Sequence, residues 1–327
     1  MERLSPEWTA LWLNDKNASP FQSPYWVISW WKVFGAGELA VIAAWDNEEL
    51  TGLIPLYIRR DESDGKRKLV FIGTGNTDYL DLIVREGYEE TILNAFRRFL
   101  DSNKDQWDEC RLTGLRECSL FLKLNYPEHS EVNRINAAPS VRLRDSFDDY
   151  LLKLSPQFRK NIIRAESNLS KTGTLNLRLS SEVTLNSDLN ILYELHAKSW
   201  GEKNSPGVLS DSSVKKFLQE ACRGLLEKKF LRLYSLMFDD KAIASVITFL
   251  SPAGLLYYIG GYEPEYRKYS PGSLIIYYIL QELCGSGTGR FDFLTGRESY
   301  KYKWCAEDEY IYELNIIGGK QILKGIR

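Results

Sequence analysis

Tyr258-Ile259-Gly260-Gly261-Tyr262-Glu263-Pro264-Glu265-Tyr266-Arg267-Lys268-Tyr269-Ser270-Pro271-Gly272-Ser273 is the stretch that decides the fold. The apolar run 255–260 that leads into it reads as a strand. The segment 270–283 reads as a helix opened by Ser270-Pro271, because serine caps free amides and proline fits the first helical position. A strand that turns through glycine into an exposed helix amino end is an α/β unit and also an anion site, since unbonded N–H groups and the helix dipole converge there. Arg267 and Lys268 stand just ahead of that point, so a diphosphate would rest on backbone amides with charge-assisted bonds from two basic side chains. For the segment alone the plainer reading is a strand-to-helix connection that binds nothing.

Working outward, helices are predicted over 189–200 and 213–227, strands over 231–238, 243–250, 255–260 and 291–294, and a last strand over 310–317 closing the same sheet. The first half has the same order: an aromatic helix 25–34, strands 39–45 and 50–58 around Asp46-Asn47, strands 69–72 and 80–84, a helix 89–100 and a strand 109–113. Residues 45–56 resemble 238–249 once one gap is allowed, with a turn at Asp46-Asn47 in one and Asp239-Asp240 in the other. A single similar hairpin says little; with the repeated order it indicates duplication of one α/β domain. The segment 150–171 reads as one helix carrying Lys153, Arg159, Lys160, Arg164 and Lys171 against Glu166. It is either a solvated connecting face or a cationic wall beside an interdomain cleft.

Composition narrows the function classes. The 327 residues allow two domains, and 44% hydrophobic with 26% charged residues describes an ordinary folded chain. Lys+Arg 42 against Asp+Glu 44 gives a net charge of −2, so no whole-molecule field attracts nucleic acid, and any basic site must be local. The apolar run 274–280 is far too short to span a bilayer. The residues from Met1 to Trp8 lack the pattern of a signal peptide, which gives the expectation of a cytoplasmic protein. Five scattered cysteines without C-x-x-C and only two histidines, His129 and His196, argue against a disulfide framework and a metal site.

Arg267-Lys268-Tyr269-Ser270-Pro271-Gly272 resembles a degenerate R-x-x-G-x-G/A loop, by which GNAT-type N-acyltransferases bind the pyrophosphate of coenzyme A, with Ser270 in place of the first glycine. Residues 195–200 (Leu-His-Ala-Lys-Ser-Trp), Gly261-Tyr262-Glu263-Pro264, residues 292–304 and residues 73–81 resemble segments of the CelD-like and BioF2-like acyltransferases, relatives of the FemABX peptidoglycan-bridge transferases. The resemblance implies an α/β fold of tandem GNAT-like domains, each a mixed twisted sheet flanked by helices. The first, 1–148, would lack a donor loop. The second, 149–327, would bind the acyl donor, with an acceptor cleft between them. It implies acyl-CoA as co-substrate, acetyl-CoA first, with donor contacts from Tyr258, Gly260, Arg267, Lys268, Tyr269, Ser270, Gly272 and Ser273, and no metal.

Amide formation from a thioester needs a neutral amine, donors for the oxyanion and a proton for the departing thiolate. Backbone N–H groups of the strand 255–260 suit the carbonyl. Glu298 or Asp292 suits the amine proton, and Tyr300 the sulfur. Lys301 matches the lysine of the Fem-like K-x-x-F/W pattern and by that resemblance would neutralise a phosphate or the oxyanion. The plainer reading of this cluster is an ion-paired rim. His196 sits near the edge of a buried helix face, where packing is the commoner role, yet it is the best histidine candidate for a base. Trp200, Asp78, Tyr79 and Asp81 are candidates for placing the acceptor.

The leading expectation is an N-acyltransferase acting on the amine of a small metabolite, amino sugar or envelope or polysaccharide precursor, as a monomer or homodimer. An aminoacyl-tRNA-dependent bridge transferase, or a non-catalytic accessory protein in exopolysaccharide production, are the other readings.

Overall fold

A computed structural model describes residues 1–124, 129–143, 146–202, 204–286 and 288–318. Along the chain run α1 (Ser5–Asn14), α2 (Pro24–Phe34), β1 (Glu38–Leu39), β2 (Ile42–Asp46), β3 (Glu49–Ile54), β4 (Leu56–Arg60), β5 (Arg67–Phe71), β6 (Ile83–Val84), α3 (Glu89–Ser102), β7 (Glu109–Arg116) and β8 (Ser130–Arg142). There follow α4 (Phe147–Lys153), α5 (Pro156–Ser170), β9 (Leu175–Leu179), α6 (Leu185–Gly201), α7 (Ser212–Glu227), β10 (Leu231–Phe238), β11 (Lys241–Ser251), β12 (Gly254–Tyr262), α8 (Pro271–Ser286), β13 (Arg290–Asp292), α9 (Ser299–Tyr302) and β14 (Glu307–Ile317). Two compact units result: Met1–Ala137 completed by the chain from Glu309 onward, and Ala138–Asp308. Mixed sheets flanked by helices build both, the α/β class that the sequence implies.

In the first unit β1, β4, β5, β7 and β14 lie side by side in that order, and β2, β3 and β6 form a smaller sheet. Pro55, which has no N–H to give a ladder, separates β3 from β4. β4 and β5 are antiparallel, β5 and β7 parallel with Leu69 opposite Cys110, and α3 makes the crossover, burying Ile92, Leu93 and Phe96. β14 pairs antiparallel with β7, Leu314 opposite Leu112 and Ile316 opposite Cys110, and both β14 residues enter this core. The sequence assigned 310–317 to the second sheet. Its alternation reveals a buried face but not the neighbour that the strand chooses.

In the second unit residues 138–142 of β8 are followed across the sheet by β13, β12, β11, β10 and β9. β12 and β13 are parallel, Leu255 opposite Phe291, and α8 crosses between them, burying Leu274, Ile275, Ile276, Ile279, Leu280 and Leu283. Each unit thus runs hairpin, antiparallel return, crossover helix, parallel strand. The two hairpins agree to the residue. Asp46 faces Glu49 around Asn47 (φ 53°) with an extra residue, Thr51, before Ala44 faces Gly52; Phe238 faces Lys241 around Asp239 (φ 49°) with an extra residue, Ile243, before Leu236 faces Ala244. This register aligns the hairpins without the gap that the sequence comparison used.

The expected helix 150–171 is two. α4 ends at Lys153, and Ser155 caps α5 through its hydroxyl, which accepts the Phe158 N–H at 3.3 Å. α5 buries Ile162 and Leu169, and Phe158 meets Trp304 edge to face at 5.0 Å, so one side of α5 packs on the unit's core and the other carries the cations.

Candidate active site

The site begins with a fault in a ladder. Thr248 of β11 faces Tyr257, yet Ile247 faces Ile259, so Tyr258 is surplus and β12 bulges there. Residues three apart on a regular strand face opposite sides. Across the bulge Tyr257 and Gly260 share a face, and the Tyr257 hydroxyl lies 2.9 Å from where a Gly260 Cβ would stand. The Glu263 N–H bonds the Ile243 carbonyl at 2.9 Å, so by alternation Gly261 points its N–H at β11 while Gly260 and Tyr262 point theirs at the other edge. Among the described residues β13 covers that edge only at Leu255 and Leu256, leaving it open at Gly260.

After β12 a 3-10 turn, Pro264–Tyr269, leads to Ser270 in the left-handed conformation (φ 51°, ψ 57°) and Pro271 starts α8. The N–H groups of Ser273 and Leu274 bond the Ser270 carbonyl at 2.8 and 3.0 Å. A Cβ on Gly272 would find only Tyr262 Cδ1, at 3.8 Å, so a ligand can approach the backbone closely here.

One cavity of about 480 Å³ in the second unit brings together Tyr258, Gly260, Arg267, Ser270, Gly272 and Ser273 with His196, Trp200, Glu298 and Tyr300. Lys268 and Tyr269 lie elsewhere. With Arg164 and Lys303 they line a groove of about 590 Å³ that shares Ser270 and Ser273 with the cavity. Among the described residues no carboxylate lines this groove, and Arg164, Lys268 and Lys303 have no ion-pair partner. Arg267 is held at 3.4 Å by Glu202, which also accepts the Tyr262 hydroxyl at 3.1 Å.

Lys301 and Asp292 lie behind the cavity wall. Lys301 is buried and gives its ammonium to the carbonyls of Leu294 (3.2 Å), Thr295 (2.9 Å) and Gly296 (3.1 Å) and to Glu298 (2.9 Å). The expected cation at the reacting carbonyl is instead a tether that shapes the loop presenting Glu298. Asp292, expected as a possible base, accepts the Leu294 N–H at 2.8 Å and pairs with Arg290 at 3.0 Å, which fixes the strand end. His196 is buried, its ring stacked on Trp200 at 5.7 Å. Gly261 and Gly207 both press on it: their Cβ atoms would stand 2.2 Å from its N and 2.4 Å from its Cε1.

Asp78, Tyr79 and Asp81 belong to the first unit. Tyr79, expected to reach a substrate, is a core residue, its ring against Phe21 at 6.2 Å and under the Arg116 guanidinium at 5.3 Å. Asp81 accepts the Leu82 N–H (2.9 Å) and the Ser119 hydroxyl (3.0 Å). Burial pushes its carboxyl up to about 6 against the pull of Arg116.

Sequence reasoning missed Tyr257 and Glu202. Tyr257 lines the cavity, its ring 6.0 Å from both Phe291 and Phe293; burial, with Glu298 adding to it, pushes its hydroxyl up to about 12. Burial also raises Tyr300, with Tyr257 and Glu298 contributing. Both phenols therefore stay protonated at neutral pH and are hydrogen-bond donors. The one available signal was the pair Tyr257-Tyr258, adjacent aromatics that a regular strand sends to opposite faces.

Residues 156–302 match the family model described as an acetyltransferase (GNAT) domain. No curated protein matches the chain in sequence. Solved structures share its fold: FemX superposes with a TM-score of 0.67 at 11% identity over 98% of each chain. The C-terminal domain of an Agrobacterium fabrum protein described as a lysylphosphatidylglycerol synthetase gives 0.63 at 10% identity, over 99% of this chain and 94% of that one. L-PGS from Bacillus licheniformis gives 0.58 at 12%, over 92% and 93%. The cavity and the open strand edge thus lie inside the segment that matches an acetyltransferase (GNAT) domain, so the chain carries a GNAT-type acyltransferase domain within a FemX-like fold.

Proposed function

We propose that the protein transfers an acyl group from coenzyme A to the amine of a small acceptor, an amino sugar, an amino acid or an envelope or polysaccharide precursor, in the cytoplasm. The observation that carries this reading is the continuity of the open strand edge at Gly260 with the α8 amino end at Gly272 in one cavity. A thioester arm can pair along the strand while its diphosphate meets the helix N-terminus beside Arg267. The groove of Arg164, Lys268 and Lys303 then receives the phosphorylated nucleoside end.

In the reaction the amine nitrogen attacks the thioester carbon and the carbonyl becomes an oxyanion. When the C–S bond breaks, its electron pair goes to sulfur, and the Tyr300 hydroxyl supplies the proton. The proton lost by nitrogen passes to Glu298 and on to the tyrosinate, so the enzyme returns to its starting state. Among the described residues no cysteine lines the cavity, in keeping with direct attack and no acyl-enzyme.

The same cationic groove also suits the phosphates of an aminoacyl-tRNA, so both donors belong in the test. Calorimetry with acetyl-CoA is expected to show binding to the wild type and at least tenfold weaker binding to Gly272→Val, whose side chain has room in the free protein but occupies the ligand's path. Equal affinity in the two proteins would remove this helix end from the donor site. Turnover with aminoacyl-tRNA and none with acetyl-CoA would replace the donor.

A further inference from the structure

Tyr257 stands in an environment that core packing does not explain. Its ring is wedged by Phe291 and Phe293, but its hydroxyl projects into the cavity, and among the described residues neither this hydroxyl nor that of Tyr300 has a hydrogen-bond partner. A partly desolvated phenol with an unspent O–H is costly unless something arrives to accept it. The bulge at Tyr258 aims that hydroxyl over Gly260, the residue whose N–H faces the open strand edge. A side-chain donor and a backbone donor thus lie side by side at Gly260 in the lining of one cavity.

We infer that Tyr257 is a catalytic residue: its O–H and the Gly260 N–H are the two donors that bind the oxyanion of the tetrahedral intermediate. This rests on the acyl-transfer reading above and adds a named residue to it. The division of labour follows from position. Tyr257 gives a hydrogen bond without losing its proton, whereas Tyr300, on the α9 side of the cavity, supplies the proton to sulfur. Both donors are in place before the acyl group arrives, so no reorganisation is needed when charge develops. The inference also explains why residue 260 is glycine: any Cβ there would meet the hydroxyl and push it off its aim.

Steady-state turnover and donor affinity of Tyr257→Phe, Gly260→Ala and the double variant test this, with unfolding curves to establish that each is folded. Tyr257→Phe should lower kcat by about 10²-fold with the donor Kd within about twofold of wild type, because the donor acts on charge absent from the ground state. Gly260→Ala should lower kcat as well by displacing the hydroxyl, but should cost little more once the hydroxyl is gone, giving a strongly non-additive cycle. A kcat within twofold of wild type in Tyr257→Phe overturns the assignment. So does an equal cost of Gly260→Ala in both backgrounds, since the glycine would then matter only for the neighbouring Ser245 carbonyl and Val246. The acyl-transfer reading is judged separately by wild-type turnover, and the variant ratios are read on whichever donor the wild type consumes. Absence of turnover on both donors overturns reading and inference together.

Discussion

Ser270 shows how one residue can be legible by type and illegible by role. A serine before a proline reads as a helix cap, and Ser23 and Ser155 are such caps, their hydroxyls accepting the N–H groups of Trp26 and Phe158. Ser270 instead takes the left-handed conformation that costs a non-glycine residue about 1 kcal/mol or more. Ser270→Gly is therefore expected to raise stability by about 1 kcal/mol in urea unfolding, reduced somewhat by glycine's freedom in the unfolded chain. Asp81 gives a pH-dependent case. Its folded pKa of about 6 lies above the reference 3.8, so its contribution is fully present below pH 3.8 and is lost as pH rises through 6. Asp81→Asn should flatten the stability profile between those values and be about 1–3 kcal/mol more stable at pH 7, read from urea midpoints at a series of pH values. The residue types were visible in the sequence, but their conformations depend on neighbours far along the chain.

At the scale of elements, apolar periodicity located most helices and strands within a few residues, including β10 over 231–238, because a buried face imposes its period on the sequence. It failed for β8, where residues 131–136 are exposed and Pro139 interrupts any strand pattern, and for the bulge in β12, since register is a property of two strands. His196 and the pair Glu298 and Tyr300 were separate candidates in the sequence; that they line one cavity was not legible there. α6 approaches β12 so closely at Gly261 that a Cβ would lie 2.2 Å from the His196 nitrogen. Gly261→Ala must push helix backbone from strand and should cost about 2–3 kcal/mol in denaturant unfolding, with a fall in turnover as the wall bearing His196 and Trp200 shifts. An unchanged midpoint would mean that α6 yields freely.

At the scale of the whole molecule, the repeated order of elements was legible and the assignment of the last strand was not. The first unit takes β14 as the partner of β7, with Leu314 and Ile316 in its core. A chain ended after Asp308 should keep amide protection in β10, β11 and β12 but lose it in β7, as hydrogen exchange with peptide-level resolution would report. Full protection of residues 109–116 in the shortened chain would show that the pairing contributes little.

The same discontinuity bears on how the protein comes off the ribosome. The first unit cannot finish its sheet until β14 has emerged, while Ala138–Asp308 is already complete in sequence by then. Vectorial synthesis usually lets the leading domain settle first. Here the second unit has the head start, and the first must wait with the edge of β7 unpaired, which makes the interval before β14 emerges the moment of greatest exposure to aggregation.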